Sequence, residues 1–299
     1  MGQLTFTVPE EWAGRAAGDF LRREKGVSTR LLKQLKKLSP PEGICCNGEH
    51  IRTVDPVREG DTVTLIWPEE ERVEAAQSCT AEVPVLYEDE WLVVFNKPFD
   101  MPSHPAKKHQ TDTLGNVFAA RMAKEGKSQP FRPVNRLDKD TTGIVVAAKD
   151  AYTASKLAGK VEKTYIALLC GALPQESGTV DAPIRRVDPV HILREVSADG
   201  RRAVTHYRQL RKKDGYTLAR FRLETGRTHQ IRVHMAFLGC PLAGDALYGG
   251  DSAVISRQAL HCDWCSFVHP VSGETVGIKA EPDRSFLDAV EKLFGKDAW

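Results

Sequence analysis

The sequence predicts an α+β fold in which a strand-rich main domain follows a small N-terminal domain of helices and strands. From Val85 onward, several apolar or alternating segments have the length of β-strands. They are WLVVFNKP, GIVVAAKD, KTYIALLCG, RRAVTHYRQL and YTLARFRLE. Helical patterns are fewer here and are expected at 113–124, 151–158, 229–238 and 285–294. Because these helices do not alternate regularly with the strands, the pattern favours an α+β domain over a doubly wound parallel sheet.

The N-terminal part, residues 1–67, is expected to contain two helices followed by short strands. The first helix lies in GRAAGDFLRREKG, which has one apolar face and a terminating Gly26. Ser28 is the expected N-cap of the second helix, TRLLKQLKKL, whose leucines recur at helical spacing. The Asn47-Gly48 dipeptide then predicts a hairpin, and EGDTVTLIW alternates as a strand does.

The chain length and one acidic segment suggest where the two domains divide. At 299 residues and 41% hydrophobic content, the chain can form one large core and a small additional domain. The acidic segment PEEERVEAAQ falls between the two patterns. We therefore expect a linker at 68–84 and a main domain at 85–299.

The composition indicates a cytoplasmic protein with reduced thiols. No apolar run has the length of a signal peptide or a membrane span, and the seven cysteines are an odd number. Cys262 and Cys265 form a C-x-x-C motif flanked by His261 and His269, which resembles half of a zinc site. The alternating pattern of QALHCDWCSFVHP is explained more simply by a strand, so we expect no metal there.

Basic charge is concentrated near the N-terminus although the formal net charge of the whole chain is only +2. Between Arg15 and Lys37 there are eight basic residues and two acidic ones. The basic residues are Arg15, Arg22, Arg23, Lys25, Arg30, Lys33, Lys36 and Lys37. Such a cluster fits a polyanion such as nucleic acid, because phosphates attract Lys and Arg regardless of sequence. A solvated helix face is the alternative interpretation.

The segment RPVNRLDKDTTGIVVAAKD, residues 132–150, places acidic and hydroxyl residues on a turn before an apolar strand. Asp138 and Asp140 are turn-forming residues, so a purely structural role is possible. Asp138-Lys139-Asp140-Thr141 also resembles the D-x-D-x-T motif of magnesium-dependent phosphatases of the haloacid-dehalogenase superfamily. In those enzymes the first Asp follows a buried parallel strand, whereas Asp138 precedes its apolar strand.

A third interpretation comes from motifs distributed over residues 85–280. NRLDKDTTGIVV resembles the R-L-D-x-x-T-S-G motif of the RluA-type RNA pseudouridine synthases, and VVFNKPFDMPSHP resembles their N-K-P-x-G-M-x-V-H-P segment. KTYIALLCG, GRRAVTHYRQL, ETGRTHQIRVHMAFLGCPLAGDALYG and QALHCDWCSFVHP resemble the later motifs of this family, in the same order. The resemblance implies a large mixed, mainly antiparallel sheet, the isomerisation of uridine in structured ribosomal or transfer RNA, and no cofactor.

The resemblance also implies roles for individual residues. Asp138 is the expected nucleophile, and Arg227 is expected to form an ion pair with it. Arg136 is expected to enter the base stack when the uridine is flipped out. Tyr165 is expected to stack on the uracil and to accept the proton from carbon five, and Ile231 to line the pocket. Lys97 and His104 are further candidates for contact with the RNA substrate.

The N-terminal domain resembles the RNA-binding domain named after ribosomal protein S-four. The resemblance rests on Ser28-Thr29-Arg30, Cys46-Asn47-Gly48 and Gly60-Asp61-Thr62-Val63. The residues expected to contact RNA are Arg15, Ser28, Arg30, Lys33, Lys36 and Lys37. The partner is therefore expected to be RNA and not a membrane or a metal, and the protein is expected to be a monomer. A non-catalytic RNA-binding protein with the same sheet remains the alternative.

Overall fold

The computed structural model describes residues 2–68, 79, 81–105, 109–188 and 191–296. The predicted linker at 68–84 lies largely outside these residues, because 69–78 and 80 are not described. Within the described part, a four-stranded sheet is formed by residues before 68, and a separate ten-stranded sheet begins at Val85. The predicted α+β class is confirmed.

The N-terminal domain packs two short helices against its small sheet. Its elements are β1 (Gly2–Thr7), α1 (Ala17–Asp19), α2 (Thr29–Leu35), β2 (Gly43–Cys46), β3 (Glu49–His50) and β4 (Thr62–Trp67). The sheet order is β1-β4-β2-β3, and α1 continues as a π-helical turn, Phe20–Glu24. The Ser28 hydroxyl accepts a hydrogen bond from the Leu31 N–H at 3.2 Å, so the predicted N-cap is confirmed. The predicted hairpin at Asn47-Gly48 is also confirmed, since both residues have positive φ between β2 and β3.

The main domain is organised around one mixed, mainly antiparallel sheet. The strands of this domain are β5 (Val85–Glu88), β6 (Leu92–Lys97), β7 (Arg132–Pro133), β8 (Thr142–Ala148), β9 (Glu162–Cys170), β10 (Ser177–Asp181), β11 (Ile184–Arg186), β12 (Arg194–Val196), β13 (Val204–Lys213), β14 (Tyr216–Leu223), β15 (Leu260–Val268) and β16 (Thr275–Lys279). The sheet order is β10-β13-β14-β9-β15-β8-β6-β5, with β16 paired to β15 and β7 paired to β8. β11 and β12 form a separate two-stranded ribbon.

The helices of the main domain begin and end within one residue of the positions that the sequence predicts. They are α3 (Leu114–Lys124), α4 (Ala151–Leu157), α5 (Gln230–Phe237) and α6 (Arg284–Phe294). The side chains of Thr113, Asp150 and Asp283 accept hydrogen bonds from the backbone N–H three residues later and so fix where α3, α4 and α6 begin. Among the described residues, no helix is both long and apolar enough to cross a membrane.

Both faces of the main sheet are covered. Alternate residues of β9 point to opposite sides: Ala167 belongs to the largest apolar cluster, whereas Ile166 and Leu168 pack in a second cluster with α6. β8 is buried along its whole length, which explains its nearly continuous apolar sequence.

A parallel pairing in the middle of the sheet joins β8 to β15. The register pairs Thr142 with His261 and Gly143 with Cys262, while both flanking ladders are antiparallel. Gly143 has a φ of +109°, and a Cβ atom at this position would collide with the Cys262 backbone. Glycine is therefore required where the two strands meet.

The N-terminal domain packs directly against α4 of the main domain. Tyr152 is buried in the apolar cluster of the N-terminal domain, and its ring centroid lies 6.1 Å from that of Phe6. The Tyr152 hydroxyl and the Lys156 ammonium both donate hydrogen bonds to the Lys25 backbone carbonyl, at 3.2 and 2.9 Å. These contacts hold the end of the first helical segment beside α4.

Candidate active site

A cavity of about 700 Å³ opens on the main sheet and brings together several of the residues singled out in the sequence. Asp138 reaches it from the turn before β8, Tyr165 from β9, and Ile231 from α5. Arg136 and Arg227 also line it. A cavity of this size can hold a nucleoside.

Asp138 lies at the mouth of β8 with its side chain 28% exposed. Its backbone carbonyl accepts a hydrogen bond from the Thr141 N–H at 3.1 Å, which closes the turn. The residue is therefore a turn-former, as one interpretation of the sequence proposed. Its carboxylate nonetheless lines the cavity, where it is available for chemistry.

The guanidinium that faces this carboxylate is Arg232 and not Arg227. Nη1 of Arg232 lies 3.4 Å from Oδ2 of Asp138. Arg227 instead donates from Nε to the backbone carbonyl of Arg202 at 3.0 Å. The predicted pairing with Arg227 is wrong because this residue lies in the loop before α5, where its side chain is engaged by the segment before β13. Arg232 lies within the first turn of α5, which points the side chain at the turn before β8.

A second acidic residue fixes the orientation of Arg232. Nε and Nη2 of Arg232 donate to the two carboxylate oxygens of Asp245 at 2.7 and 2.8 Å, and the side chains are 7% and 1% exposed. Burial lowers the pKa of Arg232, but hydrogen bonding to Asp245 and the charges of Asp245 and Asp138 raise it on balance. Because this bidentate pair occupies Nε and Nη2, Nη1 remains directed at Asp138. The sequence motif THQIR contained Arg232, but its spacing did not reveal which arginine meets the aspartate.

His229 approaches Asp138 from another side. Its Nε2 is 3.9 Å from Oδ2 of Asp138, and its Nδ1 is 2.8 Å from the Tyr248 hydroxyl. That hydroxyl also accepts a hydrogen bond from the Arg194 backbone N–H at 3.1 Å. Tyr248 therefore holds the imidazole ring in place with Nε2 facing the carboxylate.

The protonation of His229 reflects its surroundings. Burial lowers its pKa, and although the Asp138 charge opposes this, the Arg232 charge adds to it. The imidazole is therefore neutral at pH 7. The second histidine of the motif, His234, is fully buried and bonds Thr205 and the Ala182 carbonyl, so the two histidines do not form a metal pair.

Tyr165 and Ile231 supply the apolar lining of the cavity, since their exposed fractions are 6% and 3%. Burial raises the pKa of Tyr165 well above its usual value, and the neighbouring Cys262 and Asp138 add to this. The phenol is therefore protonated at neutral pH. A flat, apolar ring suits the predicted stacking role, whereas the pKa shift opposes the predicted role as proton acceptor.

Lys97 does not contact the solvent side of the cavity, so its predicted role in binding substrate is wrong. Its side chain is completely buried, and its ammonium donates to the backbone carbonyls of Pro98, Met101 and Lys139 at 2.8 to 2.9 Å. Burial lowers its pKa to about 7, against the opposing charges of Asp140 and Asp138. Lys97 at the end of β6 therefore joins the loop after β6 to the turn that contains Asp138 by hydrogen bonds.

Arg136 and His104 line the mouth of the cavity, as the sequence predicts for residues that meet substrate. Arg136 is exposed, which leaves its guanidinium accessible to RNA. His104 packs edge-on against Phe131 with 5.5 Å between ring centroids. Burial lowers the pKa of His104, and the Arg136 charge lowers it further. The imidazole is therefore neutral at pH 7 and offers hydrogen bonding without charge.

The basic residues predicted to bind RNA lie at the surface of the N-terminal domain. Arg15, Arg30, Lys33, Lys36 and Lys37 are all exposed. Arg15 lies over the Trp12 ring, 4.9 Å from its centroid. Ser28, also predicted to bind RNA, uses its hydroxyl oxygen to cap α2.

The residues considered for zinc are part of the sheet. Cys262 and Cys265 lie on β15, as predicted, and both are buried as free thiols. His261 hydrogen-bonds to the Thr142 hydroxyl at 2.8 Å and to the Ala280 carbonyl at 3.0 Å. Within the described ranges, no group of three or more His, Cys, Asp or Glu side chains could hold a metal.

Comparison with known proteins identifies the family. The family described as RNA pseudouridylate synthase matches residues 91–237. An uncharacterised RNA pseudouridine synthase of Bacillus subtilis is 40% identical, covering 86% of this chain and 92% of its own. A ribosomal large subunit pseudouridine synthase D of Xanthomonas campestris is 39% identical, covering 91% and 87%. Among solved structures, human RNA pseudouridylate synthase domain containing 4 superimposes with a TM-score of 0.57 at 25% identity, covering 70% of this chain and 93% of its own. The chain belongs to the RNA pseudouridine synthase family.

Proposed function

We propose that this pseudouridine synthase acts on large-subunit ribosomal RNA and uses Asp138 as its catalytic carboxylate. The observation that carries the catalytic assignment is the position of Asp138, which lines the cavity and faces the buried Arg232–Asp245 pair. The substrate assignment follows the printed name of the relatives from Xanthomonas campestris and Pseudomonas aeruginosa, which are 39% and 37% identical.

The chemistry requires an ionised carboxylate and no redox partner. The bond between the sugar and N1 of uracil breaks, the base turns, and a new bond forms from the same sugar carbon to C5. The proton on C5 is lost, and N1 ends protonated. A carboxylate can attack the anomeric carbon or remove the adjacent proton, and it is regenerated in either case. The Arg232 guanidinium lies 3.4 Å from the Asp138 carboxylate and attracts its negative charge.

The other lining residues bind the extruded nucleotide. Flipping a base costs a few kcal/mol of lost stacking. The exposed guanidinium of Arg136 is placed to fill the gap in the stack, because it is flat and can stack on the neighbouring bases. Tyr165 and Ile231 hold the uracil between an aromatic and an aliphatic surface, and His104 contacts the RNA at the cavity mouth. We assign no reacting role to Arg227 and retain it as a residue of the cavity rim.

The N-terminal domain contributes affinity in this proposal. Residues 1–67 act as an S-four-like RNA-binding domain, followed by the linker at 68–84 and the catalytic domain at 85–299. The exposed cations Arg15, Arg30, Lys33, Lys36 and Lys37 contact phosphates, and the enzyme acts as a monomer in the cytoplasm without a metal. Phosphate contacts position the protein on RNA but carry little sequence information.

The test is pseudouridine formation in ribosomal RNA prepared from cells that lack the gene. We expect the purified wild-type protein to form product and Asp138→Asn to lose at least a thousandfold in rate, because the amide cannot act as the carboxylate does. Asp140→Asn is the matched control: it removes a carboxylate two residues away on the same turn and should retain product formation. Product formed by Asp138→Asn at the wild-type rate would disprove the catalytic assignment.

The same assay separates the proposal from its alternatives. A non-catalytic RNA-binding protein would bind the RNA without forming product. A magnesium-dependent phosphatase would lose activity in Asp140→Asn and tolerate Arg136→Ala, whereas the proposed role of Arg136 requires a loss of RNA modification. The mainly antiparallel sheet already argues against the phosphatase.

A further inference from the structure

The turn between α4 and β9 lies next to both the catalytic cavity and the N-terminal domain. Gly159 and Val161 line the cavity. Lys156, in the last turn of α4, donates a hydrogen bond to the Lys25 carbonyl at the end of the first helical segment. The short stretch 156–161 therefore connects the rim of the cavity with the basic helices.

Three lysines lie on the segments that meet at this connection: Lys25 at the end of the first helical segment, Lys156 on α4 and Lys160 on the turn after it, here called the junction lysines. Burial lowers the pKa of Lys156, and the charges of Lys160 and Lys25 lower it further, while Glu24 opposes them. Glu24 lies 3.5 Å from Lys25, but within the described part of the chain neither Lys156 nor Lys160 has an ion pair with an acidic residue. Lys160 is exposed, and Lys25 and Lys156 are half-buried, so an anion can approach these cations from solvent.

The positive charge continues from this cluster into the N-terminal domain. Gly26 and Val27 link Lys25 to Ser28, the N-cap of α2. Arg30 and Lys33 are exposed on the first turns of α2, and none of the described acidic residues pairs with either. Exposed or partly exposed cations thus follow one another along the chain from Lys25 to Lys33 on α2.

We propose that the junction lysines bind the phosphate backbone of the RNA that flanks the target uridine. This inference rests on the proposed function, since it needs an RNA strand that enters the cavity. The turn at 158–161 joins α4 to β9 and lines the same cavity as Asp138, so phosphates held there lie beside that cavity. The junction lysines set the register of the RNA relative to the cavity, and the cations of α2 add further phosphate contacts.

The test measures RNA affinity as a function of salt. A fluorescein-labelled RNA hairpin with a uridine-containing loop is titrated with wild-type protein, Lys156→Gln, Lys160→Gln and the double variant. Glutamine removes the charge and keeps an N–H donor, which Lys156 needs for its bond to Lys25. Each lost phosphate contact should reduce the slope of log Kd against log salt concentration by about 0.9 on duplex RNA, by analogy with duplex DNA. For the double variant we expect this slope to fall by about 1.8. We also expect the KM for modification of ribosomal RNA to rise.

Lys212→Gln is the matched control. Lys212 is exposed and pairs with Thr217, six residues along β14 from Leu223 at the cavity rim, a distance of about 20 Å. This variant should keep the wild-type slope. A double junction variant with the wild-type slope and an unchanged melting temperature would overturn the inference. Modification of RNA by the wild-type protein is measured separately. An unchanged salt slope would therefore contradict only the role of the junction lysines, whereas absence of modification would contradict the proposed function.

Discussion

Arg232 in the cavity and the cations on and just after α2 are held in opposite ways. Arg232 is 7% exposed and has two hydrogen bonds to Asp245 plus an approach to Asp138. On α2 and just beyond it, Arg30 and the lysines that follow are exposed, and within the described residues they have no acidic partner. The buried arginine is satisfied inside the protein and fixes geometry. The exposed cations are left available to phosphates, so in the proposed function the two regions separate catalysis from affinity.

Removing Arg232 is expected to have the largest effect. Arg232→Met should destabilise the fold by about 3–5 kcal/mol, because it leaves the Asp245 carboxylate buried without a partner. It should also lower kcat/KM by about a hundredfold or more, since Asp138 loses its guanidinium. Urea denaturation and RNA modification measure the two effects.

The exposed pair Arg22–Asp19 provides the matched control for Arg232. Its side chains are 49% and 40% exposed, and Arg22→Met should cost less than about 1 kcal/mol. Equal losses of stability in both arginine variants would contradict the distinction between buried and exposed cations.

The next largest effect concerns pH. The pKa of His229 is lowered by burial, so the neutral imidazole dominates at pH 7, and activity should decline only as the pH falls below 6.5 and His229 becomes protonated. His229→Gln should remove this acid limb from kcat/KM and cost about fivefold at pH 7, the equivalent of one hydrogen bond of about 1 kcal/mol.

Tyr248→Phe tests the same hypothesis by changing the residue that contacts Nδ1 of His229. It removes the hydroxyl that bonds Nδ1 but keeps a titrating imidazole between Asp138, Arg232, Asp245 and Arg194. The acid limb should therefore persist in this variant. An acid limb that survives unchanged in His229→Gln would assign the titration to another group.

The smallest effect is expected from the exposed cations. Lys33→Gln and Lys36→Gln should each weaken RNA binding a few-fold and reduce the salt slope by about 0.9, since each removes one phosphate contact. Lys292→Gln, an exposed lysine on α6, is the control and should change neither quantity. A flat salt response of the wild-type protein would show that α2 and its flanks do not form an RNA surface.

Much of the fold could be predicted because its elements have strong local signals. The helices α3, α4 and α6 begin at polar caps, α5 has apolar spacing without a side-chain cap, and the long strands are apolar or alternating. The strand β1 was missed because it is an edge strand whose pairing with β4 spans almost the whole N-terminal domain. The short strands β10 to β12 and β16 were missed because they are only three to five residues long and mostly not buried, so they lack a clear apolar or alternating run.

The site was predicted at the level of its motifs but not of all its contacts. Asp138, Tyr165 and Ile231 do meet in one cavity. The choice between Arg227 and Arg232 depended on where α5 begins and on Asp245, which is thirteen residues beyond Arg232 and supplies its buried partner. Such a partner is decided by tertiary packing, which the spacing of residues in a motif does not report.

The glycine at the parallel junction links the architecture of the sheet to its chemistry. The strand that follows Asp138 meets the rest of the sheet through Gly143 against Cys262, while Tyr165 and Arg232 belong to elements on the far side of that seam. The cavity is thus assembled from elements on both sides of this seam. Because Gly143 has no Cβ atom, β8 can approach β15 closely, and this close approach helps to set the separation of Asp138 from Tyr165 and Arg232.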